Sequence, residues 1–457
     1  MSFLIKDKNF YKLLFSITVP IAAQNFVSFA VSLADSLMLG KINETVLSGA
    51  NLANQPFFIL TIVTFGIISA SMVFASQYWG KGDVYSIKRI MTIMLRIALG
   101  AGLFAGIIVL SFPEFVMKLY TNDKAVIEAG ASYLRIVGWA YPLYAVTSAT
   151  TGILRSAHVT TISLIVYLSS LGVNVFLNWV FIFGNLGVEP MGIAGAALAT
   201  AIARCVEIII LIVYLIFFEK KIHYVISDFF VPVKEYIKPF IKTGLPVVIN
   251  ETTWSIGMSI LSVIIGHIST EFVSANSIAN TVWQGVWVII SGMAGATAVV
   301  LGNAIGSGEN RDIVQKKAYT VIFVAFLLGI AASVILLLIR RPITDFYSIP
   351  QETKDLACDL MISYAGLILL ECMSVQYVVG ILRGGGDTKT AMFIDVFFLW
   401  TIAIPFGAYV GLVLHWAPPF VYLVLRSDQV MKCTIGFFRM KSGKWIKDIT
   451  VGDAESA

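Results

Sequence analysis

Residues Leu13 to Lys41 read LLFSITVPIAAQNFVSFAVSLADSLMLGK. The stretch is apolar for about 27 residues, enough to cross a bilayer core of roughly 30 Å at about 1.5 Å per residue. Gln24, Ser28, Ser32 and Asp35 interrupt it at spacings of 4, 4 and 3, which puts all four on one helix face. Pro20 removes a backbone donor inside the same segment, so a kink or a broken turn is expected there. A carboxylate at the centre of a membrane helix costs about 2.5–3.5 kcal/mol on insertion scales, and less near an end, where Asp35 lies. Such a stripe belongs against a water-filled cavity or another helix. A structural Asp, hydrogen-bonded at the helix end, is the alternative.

The whole chain follows the same pattern. Of its 457 residues 58% are hydrophobic and 13% charged, with a mean hydropathy of +0.85. Soluble domains carry about 25% charged residues, so much of this surface must face lipid. The net charge of +5 is scattered through short loops and forms no basic stripe, which argues against a nucleic-acid partner. Cys205, Cys358, Cys372 and Cys433 form no C-x-x-C pair, so neither a zinc site nor a disulfide framework is expected. His158, His223, His267 and His415 all fall at predicted helix ends. The N-terminal segment is apolar for too long to read as a cleaved signal peptide.

Hydropathy predicts an all-α integral membrane protein with twelve spans, near 13–40, 46–76, 88–112, 125–153, 159–184, 190–218, 238–267, 272–304, 316–339, 354–382, 389–414 and 417–438. The last is the weakest, interrupted by Arg426, Asp428, Gln429 and Lys432. Loops on the side of the termini hold most Lys and Arg, among them Lys6, Lys81, Lys220, Lys234, Lys317 and Lys444. The other side has only Lys41, Lys118, Lys124, Arg340, Arg341 and Lys354. The positive-inside rule then places both termini in the cytoplasm.

The chain also repeats. A shift of 226 positions lays Val19-Pro20 on Leu245-Pro246, Ala53-Asn54 on Ala279-Asn280, and GKGD at 80–83 on GSGE at 306–309. A shift of 228 lays GILR at 152–155 on GILR at 380–383. The predicted organisation is an N-terminal six-helix lobe (1–218), a cytoplasmic linker (219–237), and a C-terminal six-helix lobe with a basic cytoplasmic tail (238–457). Six spans per repeat give both halves the same orientation, the parallel-repeat plan of several secondary transporters.

Polar groups inside the spans nominate the sites. Glu251 opens a second stripe with Ser255, Ser259 and Ser262, again at spacings of 4, 4 and 3. Glu371 falls mid-span and is followed by Ser374 and Gln376. Asn174 and Asn178 share one face of the fifth span; Asn276, Asn280 and Gln284 share one of the eighth. Three such carboxylates with no mid-membrane Lys nearby are expected to bind a proton or ligate a cation. The asparagines alternatively join helices through hydrogen bonds of about 0.6 kcal/mol. Trp283 and Trp287, one turn apart, are packing residues or an aromatic face for an organic cation, with Tyr141 and Tyr144 as lesser candidates. The stretch from Gly184 (GNLGVEPMGIAGAALAT) reads as small-residue helix packing. GKGD lacks the G-x-x-x-x-G-K-[ST] spacing and a preceding strand, so it is a turn and not a phosphate loop. With no ATP site visible, pumping must draw on an ion gradient.

These residues resemble the multidrug and toxic compound extrusion (MATE) family over essentially the whole length. The resemblance is carried by Pro20, Gln24 and Asp35, ASQYWGKGD at 75–83, GILRSAH at 152–158, GLPVVINE at 244–251, GNAIGSGE at 302–309, LRGGGDTKT at 382–390 and RMKSGKW at 439–445. It implies two pseudo-symmetric six-helix lobes in a V shape, around a cavity open alternately to either side. It also implies export of organic, often cationic, drugs in exchange for Na⁺ or H⁺ by a non-enzymatic transporter. Asp35 then matches the family's cation or proton site in the first span, and Glu251 a cation-site glutamate of the seventh. In one branch an aspartate stands eleven residues before the LRG arginine; here Cys372 holds that position and Glu371 precedes it. Another branch has an aspartate around Asn178. The coupling residues expected are thus Asp35, Glu251 and Glu371, the possible Na⁺ ligands. Gln24, Ser28, Asn174, Asn178, Asn280, Trp283, Gln284 and Gln376 are expected to line a substrate cavity. No cofactor is expected beyond the coupling H⁺ or Na⁺, and the partners expected are a small organic substrate and the lipid of the plasma membrane, with the protein a monomer. A flippase for a lipid-linked precursor, with a cationic cavity for pyrophosphate, and an intramembrane transferase are the competing readings.

Overall fold

The structure, a computed structural model, describes residues 4–450 apart from Ser348, so the end of the basic tail (451–457) lies outside the described residues. The described chain is helical nearly throughout. Ten elements are long and apolar enough to span a membrane. These are α1 (Lys8–Gly40), α2 with α3 (Glu44–Ala53, Gln55–Lys81), α4 (Val84–Ser111), α8 (Thr161–Phe183), α9 (Gly192–Phe217), α10 (Lys234–Ile268), α11 (Thr270–Gly306), α12 (Arg311–Asp345), α13 (Gln351–Val375, continued as a π-helix Gln376–Arg383), and the run Thr388–Val413 that opens with α14 (Thr388–Phe398) and contains α15 (Ile404–Ala408). The short α5 (Pro113–Lys118) follows α4. The fourth and twelfth predicted spans are each two shorter helices. They are α6 (Lys124–Val137) with α7 (Ala140–Ser156), and α16 (Pro418–Leu425) with α17 (Asp428–Lys441).

Helix starts follow the sequence. Asn43, Asp83, Asp123, Ser269 and Asn310 each cap a helix by accepting from a backbone N–H of its first turn. Helix α1 is continuous through Pro20, so the broken turn expected there is absent. The helix does not end there because one lost donor inside a membrane helix can be absorbed without ending the ladder.

The chain forms two compact units that interleave along the sequence. One holds Ala23–Ala75 and Asp83–Phe240; the other holds Met1–Ala22, Ser76–Gly82 and Ile241–Ala457. In the first unit α8 packs along α9, α4 along α7, and α2 along α6. Its core joins Leu60, Val109, Leu134, Tyr141, Ile182 and Ala196. In the second, α13 packs against both α11 and α12, and α17 against α13 and α14. One of its cores is built on Leu261, Phe272, Met361, Ile368, Leu399 and Leu425.

The repeated glycine motifs have a shared geometry within the second unit. A Cβ on Gly80 would stand 2.1 Å from the Asn303 carbonyl oxygen, and one on Gly306 would stand 1.9 Å from that of Gln77. The ends of α3 and α11 thus touch backbone to backbone at equivalent positions. Gly82 (φ +74°) and Gly308 (φ +72°) then take the same left-handed conformation that ends each helix. GKGD and GSGE are therefore paired helix exits.

Candidate functional sites in the two units

In the first unit, α1 delivers Asp35 to a face of α8 and α9. Asn178 donates its amide to Asp35 at 2.5 Å and to Asn174 Oδ1 at 3.2 Å; Asn174 donates to Thr200 Oγ1 at 3.3 Å. The i, i+4 spacing on α8 makes this relay possible. One turn beyond Thr200, Arg204 pairs with the buried Glu207 at 2.6 Å. Its guanidinium lies over the rings of Tyr144 and Phe57, at 5.0 and 5.7 Å. Glu207 Oε2 and Asn178 Oδ1 are buried without a hydrogen-bond partner. Around Asp35 there are therefore two carboxylates, Asp35 and Glu207, and one cation, Arg204.

The other polar positions of α1 are placed elsewhere. Gln24 is buried and accepts from Arg155 at 2.7 Å, about 16 Å along the helix from Asp35 at 1.5 Å per residue. Ser28 and Ser32 donate to carbonyls one turn back, of Gln24 and Ser28.

The second unit holds a longer network. Arg383, buried at the end of the π-helix, pairs with Glu251 of α10 and lies 3.9 Å from Asp395 of α14. Asp395 accepts from Asn250 at 3.0 Å and pairs with Lys432 at 2.6 Å; Lys432 also pairs with Asp428 at 2.7 Å. Asp428 accepts from Gln429 at 3.1 Å, and Gln429 accepts from Ser374 at 2.5 Å. Ser374 sits three residues after Glu371 and donates to its carbonyl. The Glu371 carboxylate in turn pairs with Arg426 at 2.6 Å and accepts from the Trp283 indole at 2.6 Å. Trp283 stacks on Trp287 (5.2 Å), which stacks on Trp254 (6.3 Å). Gln376 is buried and donates weakly to the Ile290 carbonyl at 3.5 Å. Asn280 and Gln284 are half-buried on α11 beside Trp283. The network gathers four carboxylates (Glu251, Glu371, Asp395, Asp428) and three cations (Arg383, Arg426, Lys432).

Two sequence-based expectations are corrected here. Glu251 and Glu371 do not lack basic neighbours: Arg383 and Arg426 pair with them. The π-helix sets the end of α13 so that Arg383 points inward, and the break between α16 and α17 turns Arg426, Asp428 and Lys432 into the unit. Those residues read as interruptions of a weak span, whereas they are its buried face. Arg204 stands well inside α9. The i, i+3 pair Arg204/Glu207 and the i, i+4 pair Asp428/Lys432 were the available signals. Asp395, a lone carboxylate in AMFIDVFFLW, was a signal of the same kind as Glu251, and Thr200 carried none.

The MatE family model matches this chain twice, over residues 20–180 and 246–409, together well over half its length. The two matches start 226 positions apart, the offset of the internal repeat. The chain is 22% identical to the uncharacterized transporter YisQ of Bacillus subtilis, covering 96% of each chain. It is 23% identical to the probable multidrug resistance protein NorM of Thermotoga maritima, covering 95% of this chain and 93% of the relative. A solved MATE structure in complex with MaD3S superposes with a TM-score of 0.84 at 18% identity, covering 95% of this chain and 96% of that one.

Proposed function

Because the chain belongs to the MatE family of membrane transporters, we propose that it exports small organic, cationic drugs or toxic metabolites by alternating access, in exchange for H⁺ or Na⁺. In this reading the six-helix lobes 1–218 and 238–457, joined by the linker 219–237, sit in the plasma membrane with both termini cytoplasmic. Relatives named as multidrug resistance proteins support the substrate class. The observation that carries the coupling is the charge inventory of the two sites. Each is one positive charge short: Asp35 and Glu207 face Arg204, and four carboxylates face three cations around Glu251 and Glu371. A net charge held in a low-dielectric interior is expensive, so each site favours one proton, one Na⁺ or the positive charge of a bound drug. Competition for that one charge is what an exchanger requires.

Asp35 is the residue this reading depends on most. Efflux from proteoliposomes under an imposed ΔpH or ΔNa⁺, applied separately, identifies the ion. Asp35→Asn mimics the neutral form, so expression should be retained, drug binding weakened and ion-driven efflux abolished. Normal efflux by that variant would assign Asp35 a structural role. A flippase for a lipid-linked precursor is less well supported, since Arg383, Arg426 and Lys432 are each engaged by carboxylates.

A further inference from the structure

The segment between α9 and α10 is held unusually deep for a connecting loop. Its centre is a 3-10 turn, Ile226–Phe230. Arg96 of α4 donates to the Phe229 carbonyl at 3.0 and 2.5 Å and to the Val231 carbonyl at 2.9 Å. Arg96 stands twelve residues into α4 from Val84, about 18 Å along an axis of about 42 Å at 1.5 Å per residue. A bilayer core of roughly 30 Å leaves such a helix an overhang of about 6 Å at each end. On a helix centred in the core, the Arg96 backbone therefore lies inside the boundary, and its long side chain reaches back toward the start of α4, where the linker carbonyls bind it.

The backbone of the turn is prepared for that depth. Asp228 N donates to Val225 O at 2.9 Å, Val225 N donates to the Asp228 carboxylate at 3.0 Å, and the Thr92 hydroxyl donates to Asp228 O at 3.0 Å. Lys88 pairs with the Asp228 carboxylate at 3.0 Å. Irregular backbone is tolerated near hydrocarbon only when its polar groups are satisfied in this way. Outward, the turn shows Val225, Ile226 and Phe230, the last two 75% exposed. Ile216, Phe217 and Phe218 at the end of α9 are likewise exposed. The flanking exposed charges are mainly basic, Lys220, Lys234 and Lys238 against Glu235. Glu219, beside Lys220, is buried and accepts from the backbone N–H groups of Lys221, Ile222 and His223.

We propose that the 225–230 turn is a membrane-interface anchor, with Ile226 and Phe230 bedded at the headgroup–acyl boundary and Lys220, Lys234 and Lys238 resting on anionic lipid headgroups. Apolar side chains at this depth with a lysine fringe are the design of interfacial anchors. A loop standing in water would instead present polar side chains and leave Arg96 free to hydrate.

The test uses the full chain in vesicles of phosphatidylcholine alone or mixed with phosphatidylglycerol. A nitroxide is placed at Ile226→Cys or Phe230→Cys, with Cys205 and Cys433 replaced by Ala, and at Lys6→Cys as the aqueous control. Oxygen should relax the labels at 226 and 230 more than a water-soluble nickel chelate does, and the control should show the reverse. Phosphatidylglycerol should shift both anchor sites further toward oxygen, and Gln at 220, 234 and 238 together should remove that shift. Nickel-favoured relaxation at both sites overturns the anchor; a shift that survives the triple substitution overturns the role of the lysines. The unsubstituted protein gives an independent measurement with a diazirine-bearing acyl chain. Adducts on 225–230 are expected, and their absence alongside labelled α9 overturns the proposal.

Discussion

At the scale of single residues, the two sites use their carboxylates differently. Asp35 is half-buried and accepts from the Asn178 amide, whereas Glu251 and Glu371 each hold an arginine. Glu251→Gln removes a charge from Arg383, which Asp395 still faces at 3.9 Å. The variant should fold, and its efflux should lose cation dependence. Cys372→Ala deletes only a small buried sulfur, so its efflux and ion response should stay close to the parent. Parallel dose–response curves against each gradient compare the two, and a fully ion-responsive Glu251→Gln protein would remove this unit from coupling. The sequence exposed Asp35, Glu251 and Glu371 because a carboxylate in an apolar run is conspicuous. It hid which cation each carboxylate meets, Arg383 for Glu251 and Lys432 for Asp395, because charges that neutralise one another across separate helices leave no periodic trace.

At the scale of elements, the segment after α17 ties several helices together. Trp445 is fully buried, and its indole donates to Gln315 of α12 at 2.9 Å. Gln77 of α3 donates to Lys447 O at 3.0 Å and accepts from Ile449 N at 2.9 Å. Asp387, between the π-helix and α14, binds Arg439 and Lys447, each at 2.7 Å. Burial pushes the Asp387 carboxyl up, but hydrogen bonds from Arg439, Lys447 and Thr390 outweigh it and hold it below the usual carboxylate range. Asp448 is likewise lowered, its burial outweighed by Thr450 and Lys81. A carboxyl depressed in the folded state adds stability that is present above its unfolded value of about 3.9 and lost as pH falls through the folded value. The melting temperature in detergent should therefore drop in acid below about pH 4, and Asp387→Asn should lower it at neutral pH and flatten that acid limb. An unchanged limb would assign the acid loss to other groups. The helix exits give a steric prediction. Gly306→Ala puts a methyl against the Gln77 carbonyl and should destabilise by about 1–3 kcal/mol as overpacking. Gly308, over whose Cβ position nothing lies within 4 Å, stands in the left-handed region, and Gly308→Ala should cost only about 1 kcal/mol. Denaturation midpoints in one detergent rank them.

At the scale of the whole chain, the repeat was the most legible feature. GILR at 152–155 and 380–383 is followed in both halves by a left-handed residue 228 positions apart, His158 (φ +57°) and Gly386 (φ +83°). One half solves that turn with glycine and the other with a strained histidine, so identity fades while conformation persists. The twelve spans were legible from hydropathy, yet the breaks inside two of them, at 138–139 and 426–427, and the π-helices were not. Each depends on what the helix packs against and leaves no mark in local composition. The orientation read from the loops makes its own prediction. Cysteines introduced at Lys8 and Lys220, in a Cys205→Ala, Cys433→Ala background, should react with an impermeant maleimide in inside-out vesicles and stay protected in intact cells. A cysteine at Lys118 should do the opposite.

The contact between Gln77 and Lys447 spans 370 positions of sequence. A ribosome adding about 5–20 residues per second needs roughly 20–70 seconds to make that interval. Throughout it, the amide of Gln77 waits for a partner that has not been synthesised, long after its own helix has left the exit tunnel. The end of α3 is therefore among the last parts of the molecule to be finished. A nonsense codon at 443 would leave all twelve predicted spans in place and produce a nascent chain that never closes this contact, a natural target for membrane quality control.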